Sequence, residues 1–150
     1  MHAIVFCGIQ GAGKSSFYRA RFVDTHVRIN LDMLRTRNRE RLLFEACVAA
    51  RQPFVVDNTN PSAADRRRYV VPAAAAGFDV VGYYFCASVQ EGLVMNAGRE
   101  RQVPPKAVVD TAKQLELPRL DEGFTALFSV RMDGNGGFSV EAWDGMGLAG

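Results

Sequence analysis

The sequence of 150 residues is poor in cysteine and lysine and has no long apolar run. Its three cysteines (Cys7, Cys47 and Cys86) are far apart and odd in number. That excludes a closed disulfide framework and offers no zinc-ligand spacing. A reducing, cytoplasmic setting is therefore the expectation. His2 and His26 also lack metal-ligand spacing. No apolar stretch approaches the roughly 20 residues of a membrane helix. The start, Met-His-Ala-Ile-Val-Phe, shows neither a basic stretch nor a small-residue cleavage site, so no signal peptide or membrane partner is expected. Repeats and linkers are absent too, which predicts a single domain over residues 1–150. A composition 48% hydrophobic and 23% charged excludes disorder as the main state.

Lys14, Lys106 and Lys113 are the only lysines, so arginine supplies nearly all of the 18 cationic side chains. The net charge of +2 says little about partners. Arginine's planar fork suits bidentate phosphate binding, although an arginine-rich genome produces the same bias.

Strand and helix patterns alternate. His2 to Cys7 is a short apolar run that reads as a buried strand. Gly8 to Gly13 is a glycine-rich turn, and Lys14 to about Phe22 reads as a helix. Val27-Arg28-Ile29 is a second strand, followed by a predicted helix from about Asp32 to Arg51. Phe54-Val55-Val56 is a third strand, ending at Asp57. Asn60 and Pro61 read as an N-cap with proline at the first helical position, and Gly77 as the end of that helix. Asp79 to Cys86 is a fourth strand, and Ser88 caps a helix to about Ala97. The pattern breaks at Arg99 to Pro105, and a helix resumes to about Leu115. Phe124–Met132 and Phe138–Trp143 read as a C-terminal β-hairpin closed by Asp133-Gly-Asn-Gly-Gly137. Repeated alternation predicts an α/β domain: a mainly parallel sheet with helices on both faces.

Gly8-Ile-Gln-Gly-Ala-Gly13-Lys14-Ser15 fits the phosphate-loop pattern G-x-x-x-x-G-K-[S/T], placed between a strand and a helix. Glycines let the backbone curl so that successive N–H groups face phosphate oxygens, and the helix N-terminus adds its dipole. Gly8, Gly11, Ala12, Gly13, Lys14, Ser15 and Ser16 are the expected nucleotide contacts. Lys14 would reach the β/γ-phosphates of ATP, and the Ser15 hydroxyl would ligate Mg²⁺. Such a loop identifies a nucleoside triphosphate but not the acceptor.

Two acids stand at the carboxyl ends of predicted strands, where ligands gather in open parallel sheets. Asp57 holds the position of a Walker-B acid for Mg²⁺. Asp32 is placed to take the proton of an attacking hydroxyl. Arg35, three residues on, falls on the same face of the predicted helix, where it would grip an acceptor phosphate or form a solvated ion pair. Arg37, Arg39 and Arg41 are spread around that helix, as Arg66, Arg67 and Arg68 are around the next, so neither group lines one groove. Few aromatics interleave with these basics, so no single-strand stacking platform is expected.

The phosphate loop, RINLDMLR, VVDNTNPSAADRRRYV, MNAGRERQVPP and LPRLDEGFTALFSV together resemble the polynucleotide 5′-kinase family, and specifically its kinase domain. The resemblance runs from about residue 3 to about residue 131. It implies a three-layer P-loop kinase core with a helical lid near residues 96–106. It also implies Asp32 as general base and Arg35 as the phosphate-gripping arginine. Asp57, Asn58, Thr59 and Asn60 then form the strand-end active-site segment, with the last three facing substrate. Arg99 matches the lid arginine on the ATP phosphates, with Arg101 near enough to substitute for it. One of Arg66, Arg67 and Arg68 would point inward to support the site.

The departures from the family pattern are Leu31 where arginine is usual, Met33 in place of an acid, and Gln10 in place of a proline. No D-x-D-G-[T/S] phosphatase motif occurs. The reading that follows is ATP-dependent phosphorylation of the 5′-hydroxyl end of DNA or RNA. Two alternatives stand beside it. One is a kinase acting on a small-molecule alcohol, as in zeta-toxin-like and chloramphenicol phosphotransferase-like enzymes. The other is an ATP-binding regulatory domain without turnover.

Overall fold

In the computed structural model, β1 (His2–Cys7) is buried along its length after His2, as befits a strand with neighbours on both edges and layers on both faces. The structure describes residues 1–100 and 102–143. After β1 come α1 (Lys14–Arg21), β2 (Val27–Ile29), α2 (Leu31–Leu34), α3 (Arg37–Ala50), β3 (Phe54–Val56) and α4 (Ala63–Ala75). Then follow β4 (Asp79–Phe85), α5 (Val89–Ala97), α6 (Pro105–Gln114), a 3₁₀ turn at Leu120–Glu122, β5 (Ala126–Met132) and β6 (Phe138–Trp143).

The strands form one sheet in the order β2-β3-β1-β4-β5-β6. All neighbours are parallel except β5 and β6, which pair as an antiparallel hairpin. Ala3 lies beside Phe54 on one flank of β1 and beside Val80 on the other. Strand order reverses at β1, so a crevice opens beyond its carboxyl end, where the phosphate loop sits.

Period-two alternation splits β1 between two cores. Ala3, Val5 and Cys7 pack with Phe44 and Cys47 of α3 and Tyr69, Val70 and Ala73 of α4. Ile4 and Phe6 pack with Phe17 and Tyr18 of α1 and Val108 of α6. The second core is aromatic: the Phe6 ring lies 4.8 Å from Phe85 and 5.9 Å from Phe17. This cluster fixes the helix that follows the phosphate loop. The α/β architecture, mainly parallel sheet and hairpin agree with the sequence reading. Among the described residues, no helix is long and apolar enough to cross a membrane.

Two local expectations are corrected. The helix predicted from Asp32 to Arg51 is two helices. Arg35 ends α2 with a φ of 77°, and Thr36 caps α3 by accepting the Arg39 N–H at 3.1 Å. Neither Gly nor Pro marks that break, so apolar periodicity ran through it. As a result, Arg35 leaves the helical face that carries Asp32. Asn60 is not an N-cap: Ser62 caps α4 in a capping box with Asp65. Asn60 is instead buried at a φ of 43°, donating to the Phe6 carbonyl at 2.8 Å.

Of the three consecutive arginines, Arg66 points inward and is fully buried. Its guanidinium makes a bidentate pair with Glu122 of the 3₁₀ turn at 2.8 and 2.9 Å. It also donates to the carbonyls of Asn60 and Pro61 at 2.9 and 3.1 Å, and to Cys7 Sγ at 3.4 Å. Burial pushes the Cys7 thiol up to about 11, so it stays protonated beside this arginine.

Removing one partner of such a buried pair strands the other charge. Arg66→Met should therefore lower the unfolding free energy by roughly 3–5 kcal/mol in urea titration. Arg41→Ala, which breaks the exposed Arg41–Glu45 pair on α3, should cost less than about 0.5 kcal/mol. Equal effects would contradict the structural role of Arg66.

Candidate active site

The phosphate loop closes on itself through its own backbone. Gly11 and Gly13 take left-handed φ values of 80° and 100°. A Cβ on Gly11 would also stand 2.6 Å from the Gly92 carbonyl of α5, so the loop is seated directly against that helix. Gly13 caps α1 without a side-chain acceptor and no acid lies in the first turn, so the N–H groups there face the loop unspent. Ala12 is buried beneath the loop, and Ser16 is exposed on the cleft wall. Lys14 is buried, with Nζ donating to the carbonyls of Gly8 at 2.8 Å and Ile9 at 2.7 Å. Burial pulls its pKa down to about 8, against the opposing pull of Asp57.

Asp57 directly follows β3 and is almost wholly buried. Its Oδ2 accepts from Ser15 Oγ at 3.0 Å and from Arg28 Nε at 2.8 Å. Arg28 Nη2 in turn donates to Ser15 Oγ at 3.0 Å. Asp57 Oδ1 is buried without a hydrogen-bond partner. Ser15 and Asp57, both expected to serve the metal, are thus brought into direct contact. The arginine joined to them was not singled out by the sequence, because its partners lie 13 and 29 positions away.

A second network orients Asp32. Buried Glu40 of α3 accepts from Tyr69 OH at 2.7 Å, Arg37 Nη1 at 2.9 Å and Asn58 Nδ2 at 2.8 Å. Burial, with the bond to Glu40, pushes the Tyr69 phenol up to about 12. Asn58 Oδ1 then accepts the Leu31 N–H at 2.9 Å, and Asn30 accepts the Met33 N–H at 2.8 Å. The first turn of α2 is held from both sides, and Asp32 projects from it exposed into the cleft. Asn58 spends its side chain on this framework and Asn60 spends its own on the Phe6 carbonyl, while both border the cleft. Thr59 also borders the cleft, and its carbonyl accepts the Gly8 N–H at 2.9 Å.

The cleft has a volume of about 1790 Å³ and brings Lys14, Ser15, Asp57, Asp32, Arg35 and Arg99 together. Asp32 raises the pKa of Lys14 and Arg99 lowers it, which places both charges within electrical reach of the ammonium. Arg99 follows α5 on the segment joining it to α6. The neck of that segment is closed by buried Asn96, whose amide donates to the Val103 carbonyl at 2.8 Å and accepts its N–H at 3.0 Å. Arg101 lies outside the described residues. Met132 and Phe138 of the hairpin stand against Gly13, so β5 and β6 form one wall of the phosphate loop.

A strand, phosphate loop and helix at the switch point of a parallel sheet define a P-loop nucleotide-binding fold of the kinase type. A family model described as an AAA domain matches residues 35–118, more than half of the chain, and the chain belongs to that family. It is 23% identical over 133 residues to the bifunctional polynucleotide phosphatase/kinase of Schizosaccharomyces pombe, covering 85% of this chain and 33% of that protein. The chain thus spans about a third of that relative's length. Solved structures share the fold, three of them as follows. A gluconokinase from Sinorhizobium meliloti 1021 matches with a TM-score of 0.58 at 21% identity, over 85% of this chain and 82% of that one. The PezAT toxin–antitoxin system of Streptococcus pneumoniae matches at 0.62 and 15% identity, over 87% and 68%. Chaetomium thermophilum Kti12, solved with ADP-AlF3, matches at 0.60 and 15% identity, over 87% and 89%.

The depressed Lys14 pKa predicts a pH signature for nucleotide binding. Bound phosphate favours the ammonium, whereas the free chain loses that proton as pH rises through about 8. Affinity for a fluorescent ATP analogue should be flat below that point and fall by up to about tenfold per pH unit above it. Lys14→Met should bind weakly at every pH and lose this slope. A wild-type profile with no fall at high pH would contradict the assignment.

Proposed function

We propose that the chain transfers the γ-phosphoryl group of ATP to an alcohol, with the 5′-hydroxyl end of DNA or RNA as acceptor. What supports this reading is one cleft bordered by Lys14 and Ser15 on the phosphate-loop side and by Asp32 of α2 and Arg35 just after it on the other. Asp32 accepts the hydroxyl proton as the alcohol oxygen bonds to the γ-phosphorus. The bond from that phosphorus to the β–γ bridging oxygen breaks, and ADP leaves. Lys14 and the N–H groups of the phosphate loop hold the phosphates of ATP, and Arg99 neutralises charge on the transferring group from the other side. Arg35 binds a phosphate on the acceptor, which aligns the hydroxyl.

The donors at Ser15 and Asp57 fit Mg²⁺: a hydroxyl and a carboxylate are hard oxygens, and Asp57 Oδ1 is a buried acceptor without a partner. When bound, Mg²⁺ neutralises charge on the β- and γ-phosphates. Gly8, Gly11, Ala12, Gly13 and Ser16 complete the nucleotide contacts on this reading, with Arg101 assisting Arg99. Asn58, Thr59 and Asn60 form the floor on the acceptor side.

A small-molecule alcohol is the second reading. Leu31 stands where the polynucleotide kinases usually carry arginine, and a gluconokinase shares the fold.

γ-Labelled ATP should pass its label to a 5′-hydroxyl oligonucleotide. Asp32→Asn should cut that rate by about 10²–10⁴ while ATP binding holds. Acceptor affinity should fall steeply with salt for a polynucleotide. Transfer to sugars but not to oligonucleotides would favour the second reading. Wild-type protein that binds ATP yet labels no alcohol would contradict both.

A further inference from the structure

Arg28 borders the cleft, and the proposed reaction gives it no role. It projects from the edge strand β2 and bonds to both groups of the candidate metal site. Ser15 Oγ already donates to Asp57 Oδ2 and accepts from Arg28 Nη2, so one of its two lone pairs is taken. Asp57 Oδ2 is shared between the hydroxyl and Arg28 Nε. A dication ligated by Ser15 would stand next to this guanidinium, and two cations at that range repel strongly in a partly buried site. The carboxylate also needs a cation: Asp57 is only 1% exposed, and an unpaired buried carboxylate is costly. Asp57 also acts on the Lys14 ammonium, but that ammonium is bonded to the loop carbonyls. The Arg28 side chain is 27% exposed, with its guanidinium 6.0 Å from the Tyr18 ring centroid and on the cleft wall. It therefore has room to leave Ser15 without leaving the cleft.

We propose that Arg28 is a tethered cation that holds the Ser15–Asp57 pair in the metal-free chain and competes with Mg²⁺ for those two oxygens. The inference rests on reading Ser15 and Asp57 as the metal site. Arg28 is a positioning residue: it keeps the buried carboxylate aimed at the phosphate loop and sets the Mg²⁺ concentration at which the metal replaces it. Once displaced, the guanidinium faces the cleft, where phosphate oxygens are its natural partners.

The test measures binding, not turnover. Half-saturating Mg²⁺ is read from the Mg²⁺-dependent part of fluorescent ATP-analogue binding, in wild type, Arg28→Met, Arg28→Lys and Asp57→Asn. Removing a competing state raises apparent affinity, so Arg28→Met should need about fivefold less Mg²⁺ or lower still. Its melting temperature without metal should fall, and Mg²⁺ alone should raise that temperature more than in wild type. Lysine provides one charge without the fork, so Arg28→Lys should lie in between. It also serves as the reporter if the methionine variant does not fold. An unchanged or higher Mg²⁺ requirement in a folded Arg28 variant overturns the proposal. Asp57→Asn should abolish the Mg²⁺ response; if that response persists, the metal-site reading itself falls, and this inference with it.

Discussion

The ends of β1 and β3 are tied to one another, and the functional geometry hangs on that tie. The Gly8 N–H bonds to the Thr59 carbonyl at 2.9 Å, and the Asn60 amide bonds to the Phe6 carbonyl at 2.8 Å. Arg66 then caps the Asn60 and Pro61 carbonyls from below. Parallel strands carry no hairpin to fix their relative ends, so these polar contacts set where the phosphate loop begins relative to Asp57. With the ends so placed, Ser15 and Asp57 meet at 3.0 Å. The cost of burying these groups is offset because nearly every polar atom of the tie has a partner.

The Asp32 side of the cleft is built by different means. Asp32 sits on a helix of only four residues, too short to hold itself. Its stability is lent by Glu40 through Asn58 to the Leu31 N–H, and by the Asn30 cap. Glu40 in turn leans on Tyr69 and Arg37, so the position of Asp32 is decided by packing between α3 and α4. The segment between α5 and α6 is likewise fixed at its neck by one buried amide, Asn96, while Arg99 beyond it is exposed. On the proposed reading, two rigid anchors and one solvent-facing arginine suit a site that holds phosphates firmly and releases its product.

Much of this was legible along the chain. The strands announced themselves as apolar runs, the phosphate loop as a spaced motif, and the hairpin as Asp-Gly-Asn-Gly-Gly between β-like segments. The break at Arg35 was not, because a non-glycine residue with positive φ leaves no compositional mark. The true cap of α4 was present as Ser62 and Asp65, but Asn60–Pro61 matched a helix start as well, and only tertiary burial of Asn60 decided between them. Spacing showed that Arg66, Arg67 and Arg68 point in different directions; which one enters the core depends on Glu122, 56 positions away. Arg28 escaped for the same reason. Its significance comes from side chains that meet only after the sheet has formed.

The most direct measurement of the whole account is a crystal structure of the chain with MgADP, a transition-state analogue of the γ-phosphoryl group and a 5′-hydroxyl oligonucleotide. A hydroxyl oxygen about 3 Å from the Asp32 carboxylate, in line with the analogue and the ADP oxygen behind it, is the expected result. An Asp32 side chain turned away, with no space for an alcohol between it and the phosphates, would contradict it.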